Sequence, residues 1–92
     1  MRLTFDPSKR ERTLAERGLD FAQAAIVFEG DHLTFEDDRQ DYGERRLITI
    51  GRLIDRMVVL VWTPRGDARH IISMRKANDR EQRRYEDRLG RS

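Results

Sequence analysis

The spacing of apolar positions changes near residue 30. Before it, "LDFAQAAIVFEGD" sets Phe21, Ala24, Ala25 and Phe28 at i, i+3, i+4 and i+7, one face of a helix. Asp20 is placed to cap that helix and Gly30 to end it. Upstream, "DPSKRERTLAERG" predicts another helix. Asp6 can accept the orphan amides of its first turn, Pro7 suits its first position, and Gly18 can close it in the left-handed conformation. "RLTF" before it is a short extended run. After residue 30 the period becomes two: Leu33 and Phe35 alternate with polar neighbours, as in a half-buried strand. "RRLITIGRL" and "RMVVLVWT" are rich in β-formers, and a turn around Ile54 and Asp55 can join them as a hairpin. "PRGD" predicts a turn and "ARHIISMRK" a further strand. The last helix, "DREQRRYEDRL", follows Asn78 and Glu81 at capping-box spacing, with only Tyr85 and Leu89 as an apolar stripe. The order is βααββββα: one α+β domain over residues 1–92, with a small, mainly antiparallel sheet, two N-terminal helices and a C-terminal helix.

Composition sharpens this picture. Charged residues make up 39% of the 92 positions, well above the roughly 25% of an average globular protein. So small a chain has a thin core, and a partner covering part of its surface would add burial. The net charge of +2 hides a division along the chain. Residues 29–44 hold seven acidic residues against Arg39 alone, whereas residues 65–92 hold nine Arg or Lys against five acids. Such asymmetry points to a basic surface for an anionic partner. Only Lys9 and Lys76 are lysines, and the guanidinium fork of the arginines suits bidentate contact with phosphate or carboxylate. Cysteine is absent, which excludes disulfides and thiolate zinc sites. No apolar run approaches the length of a membrane span, and the N-terminus lacks the apolar core of a signal peptide. A cytoplasmic protein with no membrane contact is expected.

The chemistry centres on strand 69–76. Strict alternation puts Arg69, Ile71, Ser73 and Arg75 on one face and His70, Ile72, Met74 and Lys76 on the other. With Ile72 and Met74 toward the helices, Ser73 and Arg75 face outward on an Arg-rich surface suited to RNA, and His70 is expected to be packed. The same charges also fit an ordinary solvated face with ion pairs of little energetic weight. A nuclease without a metal needs a group to take a proton from the 2′-hydroxyl, one to protonate the leaving oxygen, and positive charge for the phosphoryl oxygens. Arg46, Arg75 and Arg80 suit the last task; His70, Glu44, Glu81 and Tyr85 are candidate proton carriers. Lys9, Ser73, Lys76 and Arg80 extend the set as substrate-binding residues. The acidic run "EDDRQDYGE" lacks the spacing of a calcium loop and reads as a solvated turn; no metal or cofactor is expected. Trp62, inside "MVVLVW", reads as core.

"FDPSK", "GLDFAQAAIVF", "DDRQDYGERRLITIG" and "IISMRKANDREQRRYE", in that order, resemble the BrnT family of bacterial toxins across nearly the whole chain. Asp6, Pro7, Lys9, Gly18, Phe21, Asp38, Tyr42, Gly43, Glu44, Arg46, Gly51, Ser73, Arg75, Glu81 and Tyr85 match its pattern. Glu16-Arg17 stands where members often carry Lys-His, and His70 where many carry Arg. The resemblance implies a fold similar to RelE-type toxins and a ribonuclease activity that inhibits translation and arrests growth. It also implies neutralisation by a dimeric, DNA-binding BrnA-type antitoxin, in a heterotetramer. From this combination the expected function is a metal-independent endoribonuclease toxin, with Arg46, Glu44, His70, Arg75 and Tyr85 as its catalytic set. The alternative is a non-catalytic module that holds RNA or an acidic protein on its Arg-rich face.

Overall fold

A computed structural model describes residues 2–89; Met1 and residues 90–92, which the single-domain expectation includes, lie outside the described residues. Its elements are β1 (Arg2–Phe5), α1 (Pro7–Arg17), a 3-10 turn (Phe21–Gln23), α2 (Ala24–Glu29), β2 (His32–Glu36), β3 (Leu47–Leu53), β4 (Arg56–Arg65), β5 (Ala68–Lys76) and α3 (Asp79–Tyr85). The local signals explain the starts. Asp6 accepts from the Ser8 amide at the head of α1, with Pro7 following, and Gly18 closes it at φ 68°. Asp20 also caps, but what it caps is the 3-10 turn, so the expected second helix is split before α2. Asn78 and Glu81 form the full capping box of α3. That helix ends at Tyr85, and a turn carries the chain on to Leu89.

The five strands form one sheet in the order β1-β5-β4-β3-β2. The expectation of an antiparallel sheet needs one correction. β1 pairs with β5 in parallel, Arg2 opposite Ala68 through Phe5 opposite Ile71, so the sheet is mixed. The reason is topological: α1 and α2 carry the chain across the sheet between β1 and β2, and this returns β1 beside the last strand rather than the next one. Beyond Phe5, the outer edge of β5 meets α1 instead, where Arg17 donates to the Met74 carbonyl at 2.9 Å.

Each face of the sheet has its own core. On one, Leu19, Phe21, Val27 and Phe28 pack on Leu47, Val58, Leu60, Trp62, Ile71 and Met74. Trp62 is buried there, as expected, its indole N–H donating to Thr49 at 2.8 Å. On the other face, Ile50, Met57 and Val59 pack with Ala77 and Leu89, and Tyr85 leans on them. α3 buries none of its own residues, so this second face is only partly covered. That open face is where the candidate site lies.

Gly51 sets the approach of α2 to the sheet. A Cβ there would stand 2.7 Å from Val27 Cγ1 and 3.1 Å from His32 Cβ. Gly51→Ala is therefore expected to destabilise the fold by about 2 kcal/mol through overpacking. Calorimetry should read a Tm lower by on the order of 10 °C.

Candidate functional site

The site begins with a ladder irregularity. In the β4–β5 pairing, Trp62 faces Ile71 and Val61 faces Ser73, so Ile72 has no partner and forms a bulge. One extra residue reassigns the faces on either side of it. Ile71 and Met74 both enter the helix-side core, which strict alternation forbids. His70 pairs with Thr63, Ser73 with Val61 and Arg75 with Val59. Those β4 residues alternate on the open side, so His70, Ser73 and Arg75 stand in a row on that face, in steps of roughly 7 Å. This corrects the expectation that His70 packs with Ile72 and Met74. Arg69 is corrected as well: its guanidinium lies on the helix side, 4.0 Å from the Phe28 ring centre and 5.2 Å from that of Trp62.

At the Arg75 end, the sheet and α3 enclose a cleft of about 330 Å³. Ile48, Ile50, Val59 and Val61 make its floor; Arg39, Arg75, Arg80 and Arg84 supply its charge. Arg75 donates two bonds to Glu81, at 2.8 and 2.9 Å. The same carboxylate accepts the Asn78 amide, so one acid both caps α3 and holds the strand arginine. The pairing raises the Arg75 pKa and lowers that of Glu81. Glu81 is thus held between Arg75 and the Asn78 amide, and its charged form is favoured there. Tyr85 lines the same cleft, its ring stacked on Phe35 with centres 6.4 Å apart.

At the His70 end, the loop between β2 and β3 brings Glu44 and Arg46 over the sheet. Two contacts set its path. The Asp37 carboxylate is fully buried and takes two bonds from Arg39, at 2.7 and 2.8 Å, while the Asp37 amide donates to the Arg46 carbonyl. Thr63, the partner of His70, donates its hydroxyl to the Arg45 carbonyl. Glu44 then lies between Arg46, at 3.8 Å, and Arg65, at 4.0 Å. The Arg46 guanidinium stacks 4.0 Å from the Tyr42 ring centre, and its Nε is buried with no hydrogen-bond partner. His70 Nδ1 is 2.8 Å from the Thr4 hydroxyl. Partial burial, and then the nearby Arg65 and Lys9 charges, pull the His70 pKa below its ordinary 6.5, against the opposing fields of Glu44 and Asp6. The shift favours the neutral imidazole, the form able to accept a proton.

Ser73 stands between the two ends along the strand. It lines the α3 cleft and also a second groove, of about 250 Å³, shared with Lys9 on α1. The structure therefore brings Lys9, Glu44, Arg46, His70, Ser73, Arg75, Arg80 and Tyr85 onto or around one face. Lys76 does not join them: it pairs with Val58 and lines a separate groove with Arg56 and Gln82. Sequence reasoning passed over Asp37, Arg39, Arg65 and Arg84. Asp37 and Asp38 are indistinguishable as letters, and only the fold buries the first. His32 is half-buried, its ring edge-to-face with Phe28.

Comparison with known families bears on the chain as a whole. A family described as "Ribonuclease toxin, BrnT, of type II toxin-antitoxin system" matches residues 5–81. The chain belongs to the BrnT family. The BrnT match spans α1, strands β2 to β5 and the Arg75–Glu81 pair, and membership in a type II system implies an antitoxin partner. No curated protein matches the chain. Among the described residues, no helix is long and apolar enough to cross a membrane.

Asp37→Ala is expected to cost about 2 kcal/mol near neutral pH, because it removes a buried, charge-assisted pair. The Arg39 bonds lower the Asp37 pKa from its ordinary 3.8. A depressed folded pKa stabilises above the unfolded value and is lost as pH falls through the folded one. The difference in stability between wild type and Asp37→Ala, followed by urea denaturation, should therefore be full above pH 4 and shrink in stronger acid.

Proposed function

We propose that this chain is a metal-independent endoribonuclease toxin that cleaves RNA in the cytoplasm, inhibits translation and is neutralised by a cognate BrnA-type antitoxin. The observation that carries this reading is the row His70, Ser73, Arg75 on one open face, produced by the Ile72 bulge. Family membership supports ribonuclease chemistry, and the row supplies groups suited to it.

In this reading His70 is the general base. With Nδ1–H donated to Thr4, Nε2 keeps its lone pair and takes the proton of the 2′-hydroxyl. The 2′-oxygen attacks phosphorus, the bond to the 5′-oxygen breaks, and that oxygen leaves with a proton. Arg46 and Arg75 stabilise the charge on the phosphoryl oxygens. Tyr85 or Glu44, in its protonated form, gives its own proton to the leaving 5′-oxygen. His70 keeps the proton it took, the product ends in a 2′,3′-cyclic phosphate, and solvent restores both groups. Arg80 and Ser73 position the backbone.

Incubation of the purified chain with single-stranded RNA and EDTA tests the reading. Cleavage should persist, and folded Arg75→Ala should lose at least about 100-fold in rate. Activity should fall in acid only as pH drops through the lowered His70 value, below 6.5, because the base must be neutral. Binding of RNA without cleavage at any pH would instead identify a non-catalytic module. Growth arrest on expression, relieved by the cognate antitoxin, is the cellular counterpart.

A further inference from the structure

α1 is built the wrong way round for a packing helix. Lys9, Arg12, Thr13 and Glu16 fall at i, i+3, i+4 and i+7, the stripe that normally carries apolar residues toward a core. Here that stripe borders β5 and lines a groove with Arg17, Ile72 and Ser73. Leu14, the apolar residue of the helix, points away and is 46% exposed, and α1 buries no residue at all. Packing does not account for cations beside the sheet edge, where Lys9 is half-buried and Arg12 exposed. The groove holds three cations against the single acid Glu16. It is also not isolated, because Ser73 belongs both to it and to the Arg75 cleft.

We infer that the α1 groove is a second phosphate subsite, holding an RNA phosphate that flanks the one cleaved, with Arg12 as its principal contact. This rests on the reading of the face as an RNA site and extends it. A strand lying over the bulge would cross from the Arg75 cleft, past Ser73, to this stripe of α1. The bulge aids this by removing Ile72 from the ladder at the crossing point. The subsite predicts that a dinucleotide occupies only part of the surface and that affinity rises with chain length. Arg12 is exposed and, among the described residues, ties into no hydrogen bond or ion pair, so its truncation leaves the fold intact.

The test is fluorescence anisotropy of the full chain with 2′-O-methyl oligouridylates, which bind but lack the attacking hydroxyl. Arg12→Ala is expected to lose about tenfold in affinity for a hexanucleotide and at most about twofold for a dinucleotide. Its salt dependence should become shallower by about one phosphate contact. Arg56→Ala, at the distant β3–β4 hairpin, is the control for overall charge, and thermal melts confirm folding. An equal loss for both lengths, no loss at all, or the same loss in Arg56→Ala overturns the subsite while leaving RNA binding in place. A wild-type chain that binds neither probe overturns the RNA reading and the subsite together.

Discussion

The unpaired Ile72 in the β4–β5 ladder is the constraint on which the open face depends. A strand in perfect register would send His70 and Arg75 to opposite sides of the sheet, because their separation is odd. The extra residue makes it effectively even. It also allows Ile71 and Met74 to face the helices together, and both are essentially fully buried there. The bulge is thereby anchored by hydrophobic burial on one side, at roughly 25 cal/mol per Å² of apolar surface. The polar row on the other side is a consequence of that anchoring and does not have to stabilise itself.

The open face is held at its two ends by different means. At one, Glu81 completes the capping box of α3 and grips Arg75, so the helix and the strand arginine are fixed by a single carboxylate. α3 has little apolar surface, and this polar junction joins Tyr85 and Leu89 in keeping it on the sheet. At the other end, buried Asp37 shapes the loop that carries Glu44 and Arg46. Both junctions place cations close together on the same face. The cleft has an apolar floor and cationic walls, a combination that suits a ligand with flat, apolar parts and negative charge.

Much of this was legible in the chain. Helix starts and stops followed from Asp6, Pro7, Gly18, Asn78 and Glu81, since each acts on backbone groups within a few residues. The strands followed from the alternation of Leu33 and Phe35 and from runs of β-formers, and Arg75 and Arg80 from the clustering of cations late in the chain. What was not legible depended on long-range pairing. The bulge leaves no local mark in "RHIISMRK", so alternation assigned His70 and Arg69 to the wrong sides. The parallel placement of β1 depends on where α1 and α2 lead the chain. Asp37 gained its role over Asp38 only through burial beside Arg39, and Lys76 was separated from the other candidates by the same register that gathered them.

The central claim is that His70, Ser73 and Arg75 act as one site. It is tested most directly by nuclear magnetic resonance of the labelled chain titrated with an uncleavable 2′-O-methyl RNA. The account predicts that the His70 ring, the Ser73 amide and the Arg75 guanidinium signals shift together, along one binding curve, while those of Met74 and Lys76 stay in place. Shifts confined to the Arg75 end, with the His70 ring unmoved at saturation, would contradict it.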